Sequence, residues 1–172
     1  MGSEGRKDAF VKAAGAAHAT GRRVALTLSD AFCVDRYRDE FLNLIRKGTV
    51  DIVFANESEL KSLYQTADFH AAIGQLRNDA RLAVVTRSEN GCVVVTAAGV
   101  TPVAAFPIDK LIDTTGAGDL FAAGFLVGLA HGADHTMCGK LGALAAAEVI
   151  QHVGARPQQS LKTLAAANGL RC

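Results

Sequence analysis

Asp113-Thr114-Thr115-Gly116-Ala117-Gly118-Asp119 leads directly into the apolar run Leu120-Phe121-Ala122-Ala123-Gly124-Phe125-Leu126. Small residues at a helix N-terminus leave the first-turn backbone N–H groups uncovered, at the positive end of the helix dipole. Such a segment suits a phosphate group. Asp119 places a carboxylate beside the same donors, where it can take a proton from an attacking hydroxyl while the amides hold the transferring phosphoryl group. The residues suit an ordinary helix start equally well, with Thr114 or Thr115 as N-cap and Asp119 as an acid matched to the dipole. The segment is neither Gly-x-Gly-x-x-Gly nor Gly-x-x-x-x-Gly-Lys-Ser/Thr, so neither the dinucleotide fingerprint nor the P-loop is present as written.

Other reactive residues point less sharply. The cysteines at 33, 92, 138 and 172 form no Cys-x-x-Cys pair, and three lie in or beside apolar stretches, so buried free thiols are expected. The histidines at 18, 70, 131, 135 and 152 lack the spacing of a zinc pair and show no evident carboxylate partner. They read as surface or helix-end residues, with no transition-metal site. Asn56-Glu57-Ser58-Glu59 follows an apolar run; Asn56 reads as a turn or cap residue and Glu59 as a solvated helix face. Glu89-Asn90-Gly91 reads as a hairpin turn, since Asn-Gly favours positive φ.

The elements that must position these residues alternate along the chain. Helices are expected over Ala9–Ala19 (closed by Gly21), Asp35–Arg46, Ser58–Tyr64, Ala71–Leu76, Gly116–His131, His135–His152 and Gln159–Asn168. Strand-length apolar runs lie at Val24–Leu28, Asp51–Ala55, Leu82–Thr86 and Gly91–Thr96. Val100–Ile108 reads as one or two more strands, interrupted by Pro102 and Pro107. Near-continuous apolar strands separated by helices predict an α/β fold with a mostly parallel central sheet covered on both faces, and a hairpin edge after Thr86.

Composition narrows the class. The 172 residues are 49% hydrophobic and 20% charged, the balance of one globular domain rather than a disordered or coiled-coil chain. Eighteen Lys and Arg against seventeen Asp and Glu give a net charge of +1. With 6% aromatic residues and no Trp, neither nucleic acid nor a membrane surface is expected as a partner. The longest apolar run, Leu120–Ala130, is shorter than the roughly 20 residues of a membrane span. The N-terminus has no apolar signal-peptide core, and a cytoplasmic location is expected.

Asp113 through Leu126 closely resembles the C-terminal signature of the PfkB/ribokinase family of carbohydrate and nucleoside kinases. Two further segments stand in the order that family requires. Asn56-Glu57-Ser58-Glu59 resembles its Asn-x-x-Glu motif, and Thr86-Arg87-Ser88-Glu89-Asn90-Gly91 resembles its nucleotide-binding turn, commonly Thr-x-Gly-x-x-Gly, with Ser88 in place of the first glycine. The resemblance implies a three-layer α/β/α ribokinase-like fold and transfer of the γ-phosphate of ATP to a hydroxyl of a small-molecule sugar or nucleoside. It makes Asp119 the catalytic base and the amides of Gly116, Ala117 and Gly118 the anion hole. Asn56, Glu59, Thr86, Arg87, Ser88, Glu89, Gly91 and Gly118 become nucleotide-binding residues, with Glu59 placing Mg2+ through ordered water. Asp113, Thr115, Val149, His152 and Gly154 match a monovalent-cation loop, implying K+. The asparagine that some members place near adenine is absent, Gly142 lying close to its position. An adenosine-kinase-like or related sugar kinase is the nearest flavour, on Thr-Arg-Ser-Glu and the Glu148-Val149-Ile150…Gly154-Ala155 segment.

The resemblance covers residues 1–172 as the C-terminal, nucleotide-binding and phosphoryl-transferring part of the family pattern. The early substrate aspartate, the Gly-Gly motif, the N-terminal strands and the β-sheet lid have no counterpart, so an exposed sheet edge and self-association through it are expected. Two other readings compete: a truncated, non-catalytic nucleotide- or phosphate-binding module, and a dinucleotide-dependent oxidoreductase. The second is disfavoured because no Gly-x-Gly-x-x-Gly follows the first strand.

Overall fold

The computed structural model of the chain describes residues 3–170, with side chains from Lys7 onward, so the expectation for Cys172 lies outside the described residues. The chain divides into two compact units, Met1–Val85 with Val95–Gly99, and Thr86–Val94 with Val100–Cys172. Among the described residues five strands, β1 (Ala25–Thr27), β2 (Ile52–Asn56), β3 (Leu82–Thr86), β4 (Cys92–Thr96) and β5 (Gly99–Val103), form one sheet of order β1-β2-β3-β4-β5. β1 and β2 run parallel, with Leu26 opposite Val53. The short connections from β3 to β4 and from β4 to β5 permit only antiparallel neighbours, giving the hairpin edge expected from the Asn-Gly turn. Four consecutive residues are buried in each of β2, β3 and β4, as in strands covered on both faces.

The first unit carries α1 (Ser3–Ala19), α2 (Ala31–Arg36), α3 (Arg38–Arg46), α4 (Glu57–Tyr64) and α5 (Phe69–Asp79). The single helix expected over Asp35–Arg46 is two helices. Asp30 caps the first by accepting the Cys33 N–H at 2.7 Å, and the backbone leaves helical geometry at Tyr37, with φ −124° and ψ 28°. Leu42 and Ile45 of α3, Leu60 and Leu63 of α4, and Ala72, Ile73 and Leu76 of α5 are buried, each set at helical spacing. Asp51, also buried, joins three segments. It accepts the Val24 N–H at 2.8 Å, lies 2.7 Å from His18 Nε2 and pairs with Arg81 at 3.1 Å. Burial alone would raise the Asp51 pKa; the Val24 N–H, His18 and Arg81 outweigh it and hold the carboxyl below its ordinary range. His18 therefore has the carboxylate partner that its sequence context did not reveal.

The second unit is built on α6 (Ala117–Ala130), α7 (His135–Val149) and α8 (Leu161–Ala167). Phe121 and Phe125 of α6 and Leu144 and Val149 of α7 are buried. Of the segment Val100–Ile108, only the first part is strand, with Pro102 inside β5 at the end of the strand order, where a missing N–H costs least. No described helix is long and apolar enough to cross a membrane.

Candidate active site

The first turn of α6 is assembled by glycines. Gly116 is its N-cap, with φ 82° and ψ −2°, a left-handed conformation that excludes most side chains. A Cβ there would also lie 2.7 Å from Ala155 Cβ. Neither Thr114 nor Thr115 caps the helix, contrary to the ordinary reading of the segment, and no side chain bonds its first-turn amides. By contrast α2, α4, α5, α7 and α8 are capped by Asp30, Asn56, Asp68, Asp134 and Ser160. The Ala117 N–H donates to Thr114 O at 3.1 Å, whereas among the described residues the Gly116 and Gly118 N–H groups of the expected anion hole have no backbone acceptor outside the helix. Apart from its own helix backbone and chain neighbours, no heavy atom lies within 4 Å of the point a Gly118 Cβ would occupy. Asp119, in the same turn, is exposed.

Close helix packing sets where this turn sits. A Cβ on Gly124 would approach Leu141 O to 2.5 Å, and one on Gly142 would approach Phe121 O to 2.8 Å. The backbones of α6 and α7 therefore touch, which only glycine permits. Gly142 is filled by Phe121, so no asparagine side chain fits at that position.

The segment following α7 flanks the cradle. Ile150 O accepts the N–H groups of Ile112 at 2.9 Å and Asp113 at 3.3 Å. Asp113 Oδ1 accepts Thr115 N–H at 2.9 Å and Thr115 Oγ1–H at 2.6 Å, while Oδ2 accepts Gly154 N–H at 2.9 Å. These bonds, led by the Thr115 hydroxyl, lower the Asp113 pKa to about 2. The structure thus brings Asp113, Thr115 and Gly154 of the expected cation loop together, with His152 on the same loop and Val149 ending α7. The carboxylate of Asp113 is spent on the loop itself. Among the described residues, no backbone N–H outside the helices donates to the carbonyls of Thr115, Val149, His152 and Gly154. His152 Nε2 lies 3.3 Å from Glu148 Oε2, a second carboxylate partner absent from the sequence reading.

Asn56 and Glu59 belong to the first unit, and there they form a reciprocal cap. Asn56 Oδ1 accepts Glu59 N–H at 2.9 Å, and Glu59 Oε2 accepts Asn56 N–H at 2.9 Å. Asn56 Nδ2 also donates to Glu59 Oε1 at 2.7 Å. Glu59 is not a solvated helix face; it is 5% exposed, and burial raises its pKa despite the Asn56 N–H.

The turn Thr86–Gly91 ends β3 and forms a short 3-10 segment over Ser88–Asn90. Its positive φ values fall on Ser88 (51°) and Gly91 (77°), not on Asn90 as the Asn-Gly pair suggested. Arg87 N–H donates to Gly91 O at 2.7 Å, and Asn90 N–H to Arg87 O at 2.9 Å, closing the turn. A Cβ on Gly91 would lie 2.1 Å from Val103 O. Ser88, Glu89 and Asn90 are exposed.

Glu148 was not singled out individually by sequence reasoning. Its signal is an acid in the last turn of a helix, where the dipole disfavours negative charge.

Comparison with known proteins identifies the family and the fold. The pattern of the pfkB family carbohydrate kinases fits residues 1–162. A cytidine kinase of Thermococcus kodakarensis is 34% identical over 142 residues, covering 78% of this chain and 49% of that protein. The crystal structure of adenosine kinase from Sinorhizobium meliloti is 54% identical with a TM-score of 0.92, covering 94% of this chain and 50% of that one. A probable sugar kinase from Rhizobium etli CFN 42 is 52% identical with a TM-score of 0.95, covering 96% and 50%. The fold is accordingly α/β and ribokinase-like, and the chain spans about half the length of the relatives it matches. With the family pattern matched over nearly the whole sequence, this chain belongs to the pfkB family of carbohydrate kinases.

Proposed function

We propose that the chain is the nucleotide-binding and phosphoryl-transferring part of an ATP-dependent kinase acting on a hydroxyl of a sugar or nucleoside. The observation that carries this reading is the uncapped first turn of α6, with Asp119 in it and open space over Gly118. In the reaction Asp119 takes the proton of the acceptor hydroxyl. The acceptor oxygen forms a bond to the γ-phosphorus, the bond to the bridging oxygen breaks, and ADP leaves with that electron pair. The amides of Gly116 and Gly118 hold the negative charge that develops on the transferring group, and a fixed donor of this kind is worth roughly 10²–10³ in rate. Asn56 and Thr86 through Gly91 contribute nucleotide contacts. Glu59 is the residue to hold Mg2+ through water, and the ion would neutralise charge on the phosphates. The carbonyls of Thr115, Val149, His152 and Gly154 would hold K+.

Asp119→Asn tests the reading. The variant should keep ATP affinity while transfer to a panel of nucleosides and sugars falls at least about 10²-fold. If the chain is only a nucleotide-binding module, the exchange changes nothing, because wild type transfers nothing; unchanged turnover in an active chain removes Asp119 from the base role.

Self-association belongs to the same proposal. β1 ends the strand order with Ala25 and Thr27 exposed. Beside it, Phe10, Val11, Leu26, Phe41 and Leu44 line an apolar groove of about 460 Å³. A second copy covering that groove makes the chain dimeric in light scattering, and a strict monomer at all concentrations refutes it.

A further inference from the structure

Glu148 sits where local physics disfavours it. It is 5% exposed, and it lies in the last turn of α7, at the negative end of the helix dipole. A buried carboxylate persists there only if donors compensate it. Three do. Oε1 accepts the N–H groups of Gln158 at 2.9 Å and Gln159 at 3.0 Å, and Oε2 lies 3.3 Å from His152 Nε2. All three donors are on the segment that leaves α7, and none belongs to the helix itself.

That segment touches the candidate anion cradle at its middle. Gly154 N–H is held by Asp113, and Ala155 lies against Gly116, where even a methyl group on the N-cap would collide. The segment is therefore fastened twice: at 152 and 158–159 by Glu148, and at 154 by Asp113. From the α7 side, Gln151 adds a third tie, donating from Nε2 to Ala147 O at 2.9 Å while its Oε1 accepts Asp109 N–H at 3.0 Å. A loop held on both sides of Ala155 has little freedom to withdraw from Gly116.

We propose that Glu148 is a positioning residue for phosphoryl transfer: it pins the 152–159 segment so that Ala155 fixes Gly116 and Asp113 keeps its grip on Gly154. The proposal rests on the kinase reading of the α6 N-terminus. Glu148 touches no reacting atom; it acts through the backbone that shapes the cradle.

The test uses the whole 172-residue chain and its Glu148→Ala and Glu148→Gln variants, each shown to be folded by circular dichroism. Hydrogen–deuterium exchange is read at the amides of Gly154 and Ala117, and ATP affinity by calorimetry, both well below the melting temperature. Glu148→Ala should speed exchange at both amides by about tenfold and weaken ATP by a similar factor. Glu148→Gln keeps one carbonyl oxygen for the Gln158 and Gln159 amides and should restore both readouts to within about threefold of wild type. If Glu148→Ala fails to fold, Glu148→Asp keeps the charge but withdraws the carboxylate by one methylene, and the same direction of change is expected. A purely structural role lowers the melting temperature but leaves exchange at Ala117 and Gly154 unchanged, and that result overturns the proposal. Wild type that binds no ATP refutes the kinase reading instead, while the exchange comparison still decides the role of Glu148.

Discussion

Gly124→Ala and Gly74→Ala make the same chemical change in two helix interiors and should move stability in opposite directions. In a helix, alanine is favoured over glycine by about 0.5–1 kcal/mol, because glycine loses more backbone freedom on folding. Gly74, in α5, is exposed, and a Cβ there meets no heavy atom within 4 Å. It should realise the whole gain, raising the melting temperature by about 1–4 °C for a chain of this size. At Gly124 the new methyl would stand 2.5 Å from Leu141 O, 2.8 Å from Leu141 C and 3.0 Å from Gly142 Cα. These are backbone atoms, so no side chain can rotate away, and α6 and α7 must part by roughly 0.9 Å to reach ordinary contact. Overpacking of this kind costs about 1–3 kcal/mol. At the upper end, less the propensity gain, the net loss is about 2 kcal/mol, or roughly 4–8 °C. Thermal melts of both variants under one condition read the two signs directly. Adding Gly142→Ala to Gly124→Ala should cost less than the sum of the single losses, since the helices are already separated. A Gly124→Ala protein that melts at or above wild type, with Gly74→Ala behaving as stated, would refute the close approach of the two helices.

Three further outcomes follow from the geometry. Ser88 holds a left-handed conformation at φ 51°, so Ser88→Gly should stabilise the chain by up to about 1 kcal/mol and Ser88→Val should destabilise it by more than that; equal melting temperatures for the two would refute the strain. The Asp113 pKa of about 2 lies below its ordinary 3.8, so its stabilisation is complete above the higher value and is lost as pH falls through the lower one; Asp113→Asn should flatten the melting curve across that window, and an unchanged acid limb counts against the loop clasp. Burial pushes the Cys92 thiol up to about 11, so peptide-mapped alkylation of the native protein near neutral pH should label Cys33 well before Cys92, and equal rates would contradict the burial.

Much of this arrangement was legible in the residues, and what was not has a common cause. The strand Leu82–Thr86 was readable as it stands, because a strand covered on both faces needs an unbroken apolar run. The helix start at 113–119 was readable because small residues precede an apolar helical run, although the residues suited an ordinary cap as well as a phosphate site. The identity of the N-cap was not: local preference favours threonine, but Ala155, distant in sequence, leaves room only for glycine at 116. The break at Tyr37 and the pairing of His18 with Asp51 likewise depend on neighbours that no window of periodicity contains. Glu59 shows the limit most clearly. Asn56 was legible as a cap residue, yet whether the Glu59 face of α4 met water or protein was set by tertiary packing.

The glycines within α6 and α7 also govern how the pair comes into being. Gly118, Gly124 and Gly128 in α6, with Gly139 and Gly142 in α7, together cost about 4–5 kcal/mol of helix-forming tendency relative to alanine. Neither segment is therefore a persistent helix by itself, and each acquires its helical state only by docking on the other. Nucleation of one cannot precede nucleation of its partner by long, so the helical hairpin should form and melt as a single cooperative unit, with the proposed phosphate site appearing only when that unit closes.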